Sequence, residues 1–204
     1  MAKNEIANID EQIAAQAAAL QTVLAQDSAP RISLKDKKFT LPDGQVLGES
    51  IKAVILKYGH SNAYYKKAYN PKAIEEPECF AYAELEDEDT MSPSDNANSP
   101  QSDLCKDCNH NQFGSRGDGK ACKNSYLVKI AIPGDPKIYD LSISPTGLKP
   151  WAQSMKALIG KFQHPIKAIA TLEFDPNVTY SKVIITTAEP NPNYQADFGL
   201  LNAA

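Results

Sequence analysis

The chain has four cysteines, and Cys105, Cys108 and Cys122 fall within one short glycine-rich segment, with Cys79 upstream. Cys105-Lys-Asp-Cys108 is a C-x-x-C knuckle, and Gly114, Gly117 and Gly119 stand between it and Cys122. A loop so dense in glycine cannot build its own hydrophobic core. A tetrahedral Zn²⁺ organises such a loop instead, taking four thiolates at about 2.3 Å and turning its binding energy into folding energy. The expectation is one structural zinc held by Cys79, Cys105, Cys108 and Cys122, with His110 as the substitute ligand. Two disulfides, free thiols or a redox C-x-x-C are the competing readings. The opening Met-Ala-Lys-Asn-Glu-Ile lacks the long apolar run and cleavage site of a secretory signal, which favours a reducing cytoplasm. Redox knuckles open a helix after a strand, whereas this one lies between an acidic stretch and a glycine-rich one.

A length of 204 residues leaves room for one domain with a real core plus decorations. No stretch approaches the apolar length needed to cross a bilayer. The net charge of −4 argues, taken alone, against a nucleic-acid binder, since such domains are usually basic. The charge is segregated, however. Cations dominate from Arg31 to Lys72, and again from Lys106 through Arg116, Lys120 and Lys123 to Lys129. The acids concentrate at Glu75, Glu76 and Glu78 and from Glu84 to Asp89. Segregation of this kind permits a basic face on an acidic protein.

Residues 4–26 read as a helix, with Ile6, Ile9, Ile13, Leu20 and Val23 on a narrow seam and Asp10-Glu11 near its start. That seam is expected to bury itself against a second copy or against the rest of the same chain. After Pro30 the pattern becomes strand-like: Arg31–Leu34, Lys38–Leu41 and then Ser50–Tyr58 as the first long strand. Gly59 to Pro71 reads as a loop dense in tyrosine and lysine, Cys79–Tyr82 as a short strand, and 84–102 as a disordered stretch. Tyr126–Ile132 and Ile138–Ser144 are strands, Leu148–Ile159 is helical, and Ile166–Phe174 and Tyr180–Thr187 are strands again. The domains expected are an N-terminal helix over 1–29, a main domain over 30–190 with a zinc insertion at about 74–125, and a tail over 191–204. Strand, long insert, two strands, helix, two strands is the order of a five-stranded, OB-like Greek-key barrel, in which a helix sits between the third and fourth strands. The fold class is therefore mainly β with few helices.

Catalytic constellations are thin. His60, His110 and His164 form no H-E-x-x-H motif, no nucleophile elbow is present, and four thiolates would close a zinc's coordination shell. The reading is a non-enzyme. What remains is aromatic and basic: Tyr58, Tyr64, Tyr65, Lys66, Lys67 and Tyr69 interleave rings with cations, and Arg116, Lys120, Lys123 and Lys129 extend the track. A sequence-tolerant single-strand binder needs this mixture, because every base has a face to stack and every nucleotide a phosphate to neutralise. Trp151 falls on a helix face with Met155 and Leu158, which places it in the core.

The run Tyr64-Tyr65…Tyr69-Asn-Pro71…Glu78-Cys79-Phe80, followed by Cys105-x-x-Cys108-Asn-x-Asn-Gln-Phe-Gly-Ser115…Gly119-Lys120-Ala-Cys122-Lys123, resembles a group of tailed-phage proteins. In layout it is similar to the zinc-containing phage single-stranded DNA-binding proteins, an OB-fold with a zinc subdomain inserted. The resemblance runs from about Arg31 to Thr187. It implies a protein that coats single-stranded DNA in replication or recombination, in the host cytoplasm, with replication or recombination proteins as partners, while the seam of the N-terminal helix is the place expected for self-association. The alternative is a zinc-stabilised protein-interaction or virion assembly module.

Overall fold

The computed structural model describes residues 29–67 and 75–203. In chain order its strands are β1 (Phe39–Thr40), β2 (Val46–Gly48), β3 (Ser50–Tyr64), β4 (Cys79–Glu84), β5 (Cys122–Ala131), β6 (Ile138–Ile143), β7 (Ala168–Phe174) and β8 (Val183–Pro190). Two α-helices join them among the described residues, α1 (Leu148–Phe162) and α2 (Tyr194–Ala203). The protein is mainly β with few helices. The expected N-terminal helix over 4–26 and Tyr69 lie outside the described residues.

The apolar run after Ser50 makes β3 the spine of the molecule. One edge of β3 pairs antiparallel with β5 from Val54 to Tyr64. The other edge is shared, with β7 alongside Ser50–Val54 and β4 alongside Gly59–Tyr64. With β6 added beyond β5 and β8 beyond β7, the sheet has six strands in the order β6-β5-β3-β7-β8, and β4 attached to the far end of β3. Among the described residues, β6 and β8 are not paired with each other.

A bulge between Ile55 and Lys57 sets which side chains face inward. Before it, Ile51, Ala53 and Ile55 point into the main core; after it, Tyr58 packs against that core instead. A single extra residue reverses the alternation of everything downstream. Tyr58, His60, Asn62 and Tyr64 therefore share the core face, while Lys57, Gly59, Ser61 and Ala63 occupy the opposite one. The main core joins Val128 and Ile130 of β5, Leu141 and Ile143 of β6 and Leu172 of β7 to Trp151, Met155 and Leu158 of α1. These three helix residues recur at the spacing of one helical face, and Trp151 is buried as its position requires. The helix stops at Gln163, whose φ of 69° leaves the helical region ahead of His164-Pro165.

Several expectations are corrected. The tyrosine-rich loop begins later than the sequence suggests, because β3 continues through Tyr64. Of the first two expected strands only Phe39–Thr40 forms a ladder, with Arg31 and Ser33 making isolated bridges. The strand expected over 180–187 lies at Val183–Pro190, and the expected tail carries α2. The main sheet has six strands rather than five because Cys79–Glu84 joins it. The stretch expected to be disordered forms a 3₁₀ helix over Leu85–Thr90. The chain after it is tied back by bonds from Ser94 N–H to the Phe80 carbonyl at 2.8 Å and from Ser99 N–H to the Glu78 carbonyl at 2.7 Å. Composition predicted a solvated segment, but backbone pairing to β4 fixes it. Among the described residues no helix is long and apolar enough to cross a membrane.

One core residue of β6 has a consequence for pH. The buried Tyr139 donates its hydroxyl proton to Asp135 Oδ2 at 2.7 Å. That bond pushes the Tyr139 hydroxyl up to about 12 and lowers the Asp135 carboxyl. A raised phenol stabilises the fold fully below its unfolded value of about 10 and loses that contribution as pH climbs toward the folded value. The lowered carboxyl acts in the opposite sense, helping above about pH 4 and failing as acid protonates it. Tyr139→Phe keeps the ring and removes the bond, so it is expected to cost about 1–3 kcal/mol at neutral pH. Urea unfolding at pH 7 and pH 11 checks this: the gap between parent and variant should shrink at the higher pH.

Candidate functional site

The far end of β3 gathers the four cysteines. Cys79 of β4 and Cys122 of β5 are both in register with Tyr64, one on each side of it. Residues directly opposite in a sheet share a face, so both thiols lie on the core face. Cys105 and Cys108 arrive from the knuckle, a single 3₁₀ turn over Cys105–Asp107. The knuckle is held by Cys105 N–H donating to the Met91 carbonyl at 2.8 Å and by Asn111 Nδ2 donating to the Cys105 carbonyl at 2.8 Å. All four cysteines are free and buried. They line one small cavity of about 20 Å³ together with Asn62 and Tyr64, which is space for about one water-sized sphere. Twenty-odd residues of sequence separate Cys79 from the knuckle, and β4 pairing with β3 closes that gap.

Electrostatics in this cavity disfavour negative charge. Burial pushes the Cys105 thiol up, a hydrogen bond from Asn62 pulls it down, and the Cys79 and Cys108 thiols raise it further. Cys122 rises to about 12, first through burial and then through Cys105, Cys108 and Cys79, with Lys120 acting the other way. A cluster of buried sulfurs in which Cys105 and Cys122 resist ionisation is a donor set that a divalent cation relieves. Among the described residues no three His, Cys, Asp or Glu side chains are already set to hold a metal ion. The number, type and seclusion of the donors fit zinc. His110 stands beside the cavity without lining it, its ring stacked on Tyr64 with centroids 4.1 Å apart.

Three asparagines tie this cavity to the sheet. Asn124 donates to Asn62 Oδ1 at 2.6 Å and to Asn111 Oδ1 at 2.9 Å, and Lys120 Nζ also donates to Asn111 Oδ1 at 3.3 Å. Asn62 and Asn124 are partners across β3 and β5. The sequence reading passed over all three, since an isolated asparagine carries no motif.

The expected binding residues divide between the two faces. Tyr58 is half-buried and meets Tyr126 and Trp151 edge-on at 5.3 and 6.5 Å. Tyr64 is engaged with His110 beside the thiols. Lys120 sits near the knuckle with its ammonium 5.2 Å from the Phe113 ring centre. On the opposite face the structure brings Tyr65, Arg116 and Lys123 together. Arg116 donates to the Tyr65 carbonyl at 2.8 Å, and the Lys123 ammonium stands 5.2 Å from the Tyr65 ring centre. Lys66 and Lys67 are exposed nearby, with Lys67 paired to Glu75 at 2.7 Å. Lys129 lies further along this face and pairs with the buried Asp140 at 3.2 Å.

Two further aromatic residues belong to that second face: Tyr82, which the sequence ranks below Tyr64 and Tyr65 for stacking, and Phe80, which it does not single out. Phe80 and Tyr82 of β4 are in register with Ala63 and Ser61, so they point away from the core. The hydroxyl end of Tyr82 lies over Gly59: a Cβ there would collide with the Ala83 carbonyl oxygen and meet Tyr82 Cζ at 2.9 Å. The ring remains 41% exposed. Burial, then the neighbouring Glu84, push its hydroxyl up to about 12, so the ring stays neutral. A groove of about 740 Å³ runs past Phe80 and Tyr82 to Leu127, Lys129 and Arg31. The alternation of Phe80 and Tyr82 around Ala81 was the signal available in the sequence.

No family model matches this chain, and no curated protein or solved structure is found to be similar to it.

Proposed function

We propose that this is a non-catalytic single-stranded DNA-binding protein of the phage type, built on an OB-like barrel and stapled by one structural Zn²⁺ on Cys79, Cys105, Cys108 and Cys122. The strand order β6-β5-β3-β7-β8, with α1 between β6 and β7, supports the barrel reading, since a Greek-key barrel of this kind carries its helix at that place. Bound zinc would hold the knuckle to β4 and β5 and supply no chemistry beyond that.

The observation that carries the DNA reading is the outward face of β3, β4 and β5. It sets Tyr65, Phe80 and Tyr82 in one surface with Lys123, Arg116, Lys129 and Arg31, over a floor of small residues, Gly59, Ser61 and Ala63. Open rings take bases by stacking, and the cations beside them take phosphates. Lys123, now over the Tyr65 ring, would move to a phosphate when a base replaces it. Lys57 and Lys129, paired with Glu84 and Asp140, would exchange those partners for phosphate at some cost. The protein would act in the host cytoplasm, coating DNA during replication or recombination alongside the proteins of that machinery.

Titration of a labelled oligo-dT at two salt concentrations tests this. Binding that weakens steeply with salt supports it, and no binding at low salt rejects it. The second reading, a zinc-stabilised protein-interaction or virion assembly module, is favoured by one feature. Phe113, on the cysteine loop, is 81% exposed, which suits a protein partner as readily as a base.

A further inference from the structure

We propose that Asn62 is a positioning residue of the cysteine site, fixing the direction in which the Cys105 sulfur presents its lone pairs to a metal; the inference rests on the zinc reading above. Asn62 is 4% exposed, yet it lies near the far end of β3, on the face where apolar side chains would otherwise pack. A buried primary amide is costly unless its groups are paired. Its oxygen accepts from Asn124 Nδ2 at 2.6 Å, and the residue lines the same cavity as Cys105, which leaves its amide N–H groups as the donors for the sulfur there. Asn124 in turn grips Asn111 Oδ1 at 2.9 Å, and Asn111 Nδ2 holds the Cys105 backbone carbonyl at 2.8 Å. Cys105 thus has its carbonyl held by Asn111 and its sulfur in the cavity that Asn62 lines, with Asn124 joining the two asparagines. Plain burial of two opposed asparagines would require only that they satisfy each other. This network instead reaches one cysteine, with Asn111 on its carbonyl and Asn62 beside it in the cavity, the arrangement by which outer groups orient metal ligands.

The test uses cobalt(II) added to the metal-free full chain. Cobalt is chosen because its thiolate charge-transfer absorption reports directly on the sulfurs. The parent is expected to show that absorption. Asn62→Leu, close in size and uncharged, should bind cobalt about 10–100-fold more weakly. Its charge-transfer band should move to longer wavelength, since a sulfur without its hydrogen bond gives up electron density more readily. Asn124→Leu should move the band the same way by less, and Asn62→Ala serves if leucine prevents folding. Parental affinity, or weaker binding with an unmoved band, overturns the positioning role while leaving the metal site standing. A parent chain that takes up no cobalt overturns the metal reading and this inference together.

Discussion

Protein purified without chelator is expected to carry one Zn²⁺ per chain, and Cys108→Ser to lose it. Structural zinc supplies an apparent ~10–16 kcal/mol in isolated peptides. The knuckle has little apolar packing to replace it, because over its short turns at Cys105–Asp107 and Asn109–Asn111 and the residue between them only Cys105 and Cys108 are buried. The effect should be local. Cys79 and Cys122 belong to strands also held by β3, so the sheet around Val128, Leu141 and Trp151 should survive while the segment from Met91 to Ala121 loosens. Hydrogen exchange read by mass spectrometry checks this. Protection should fall from Met91 to Ala121 in the variant and stay parental in β7, β8 and α1. Elemental analysis without stoichiometric metal would end the zinc reading. Unchanged exchange across the knuckle would show that its own hydrogen bonds suffice.

Tyr82→Ala and Tyr65→Ala are each expected to weaken binding to oligo-dT by about 1–3 kcal/mol, the worth of one stacked base. Lys123→Ala should act differently, lowering the slope of log affinity against log salt by roughly one contact, whatever the DNA sequence. The neighbouring tyrosines separate the two halves of the site. Tyr64 points to the thiols and stacks on His110, so Tyr64→Ala should weaken metal retention and reach DNA only indirectly. Tyr65 faces the opposite way, and Tyr65→Ala should leave the metal in place. Anisotropy titrations paired with metal analysis of the same samples decide it. Parental affinity in a Tyr65-Tyr82 double alanine variant would reject the outward face and turn attention to Phe113 as a protein contact.

Much of this was legible in the sequence for simple reasons. Apolar spacing over Leu148–Ile159 names its own buried face, and Trp151, Met155 and Leu158 all go there. The four cysteines announce a shared site because few other features of that loop can hold it together. The acidic stretch after Glu84 misled, since composition records solvation but not the bonds that Phe80 and Glu78 carbonyls offer to residues 94 and 99.

What the sequence determined alone, then, are the local matters: the helix, the strand runs, the supply of thiols, and the rings and cations available for binding. Which of those rings face the same way was decided only in three dimensions. The bulge between Ile55 and Lys57 reverses the alternation of β3, sending Tyr64 toward the cysteines and leaving Gly59, Ser61 and Ala63 on the outer face. Without it, the same residues would exchange faces. A strand's pattern specifies alternation but not phase, and phase is set by the partner strands: β5 fixes it through the main core, and β4 then places Phe80 and Tyr82 on the side that the bulge left open.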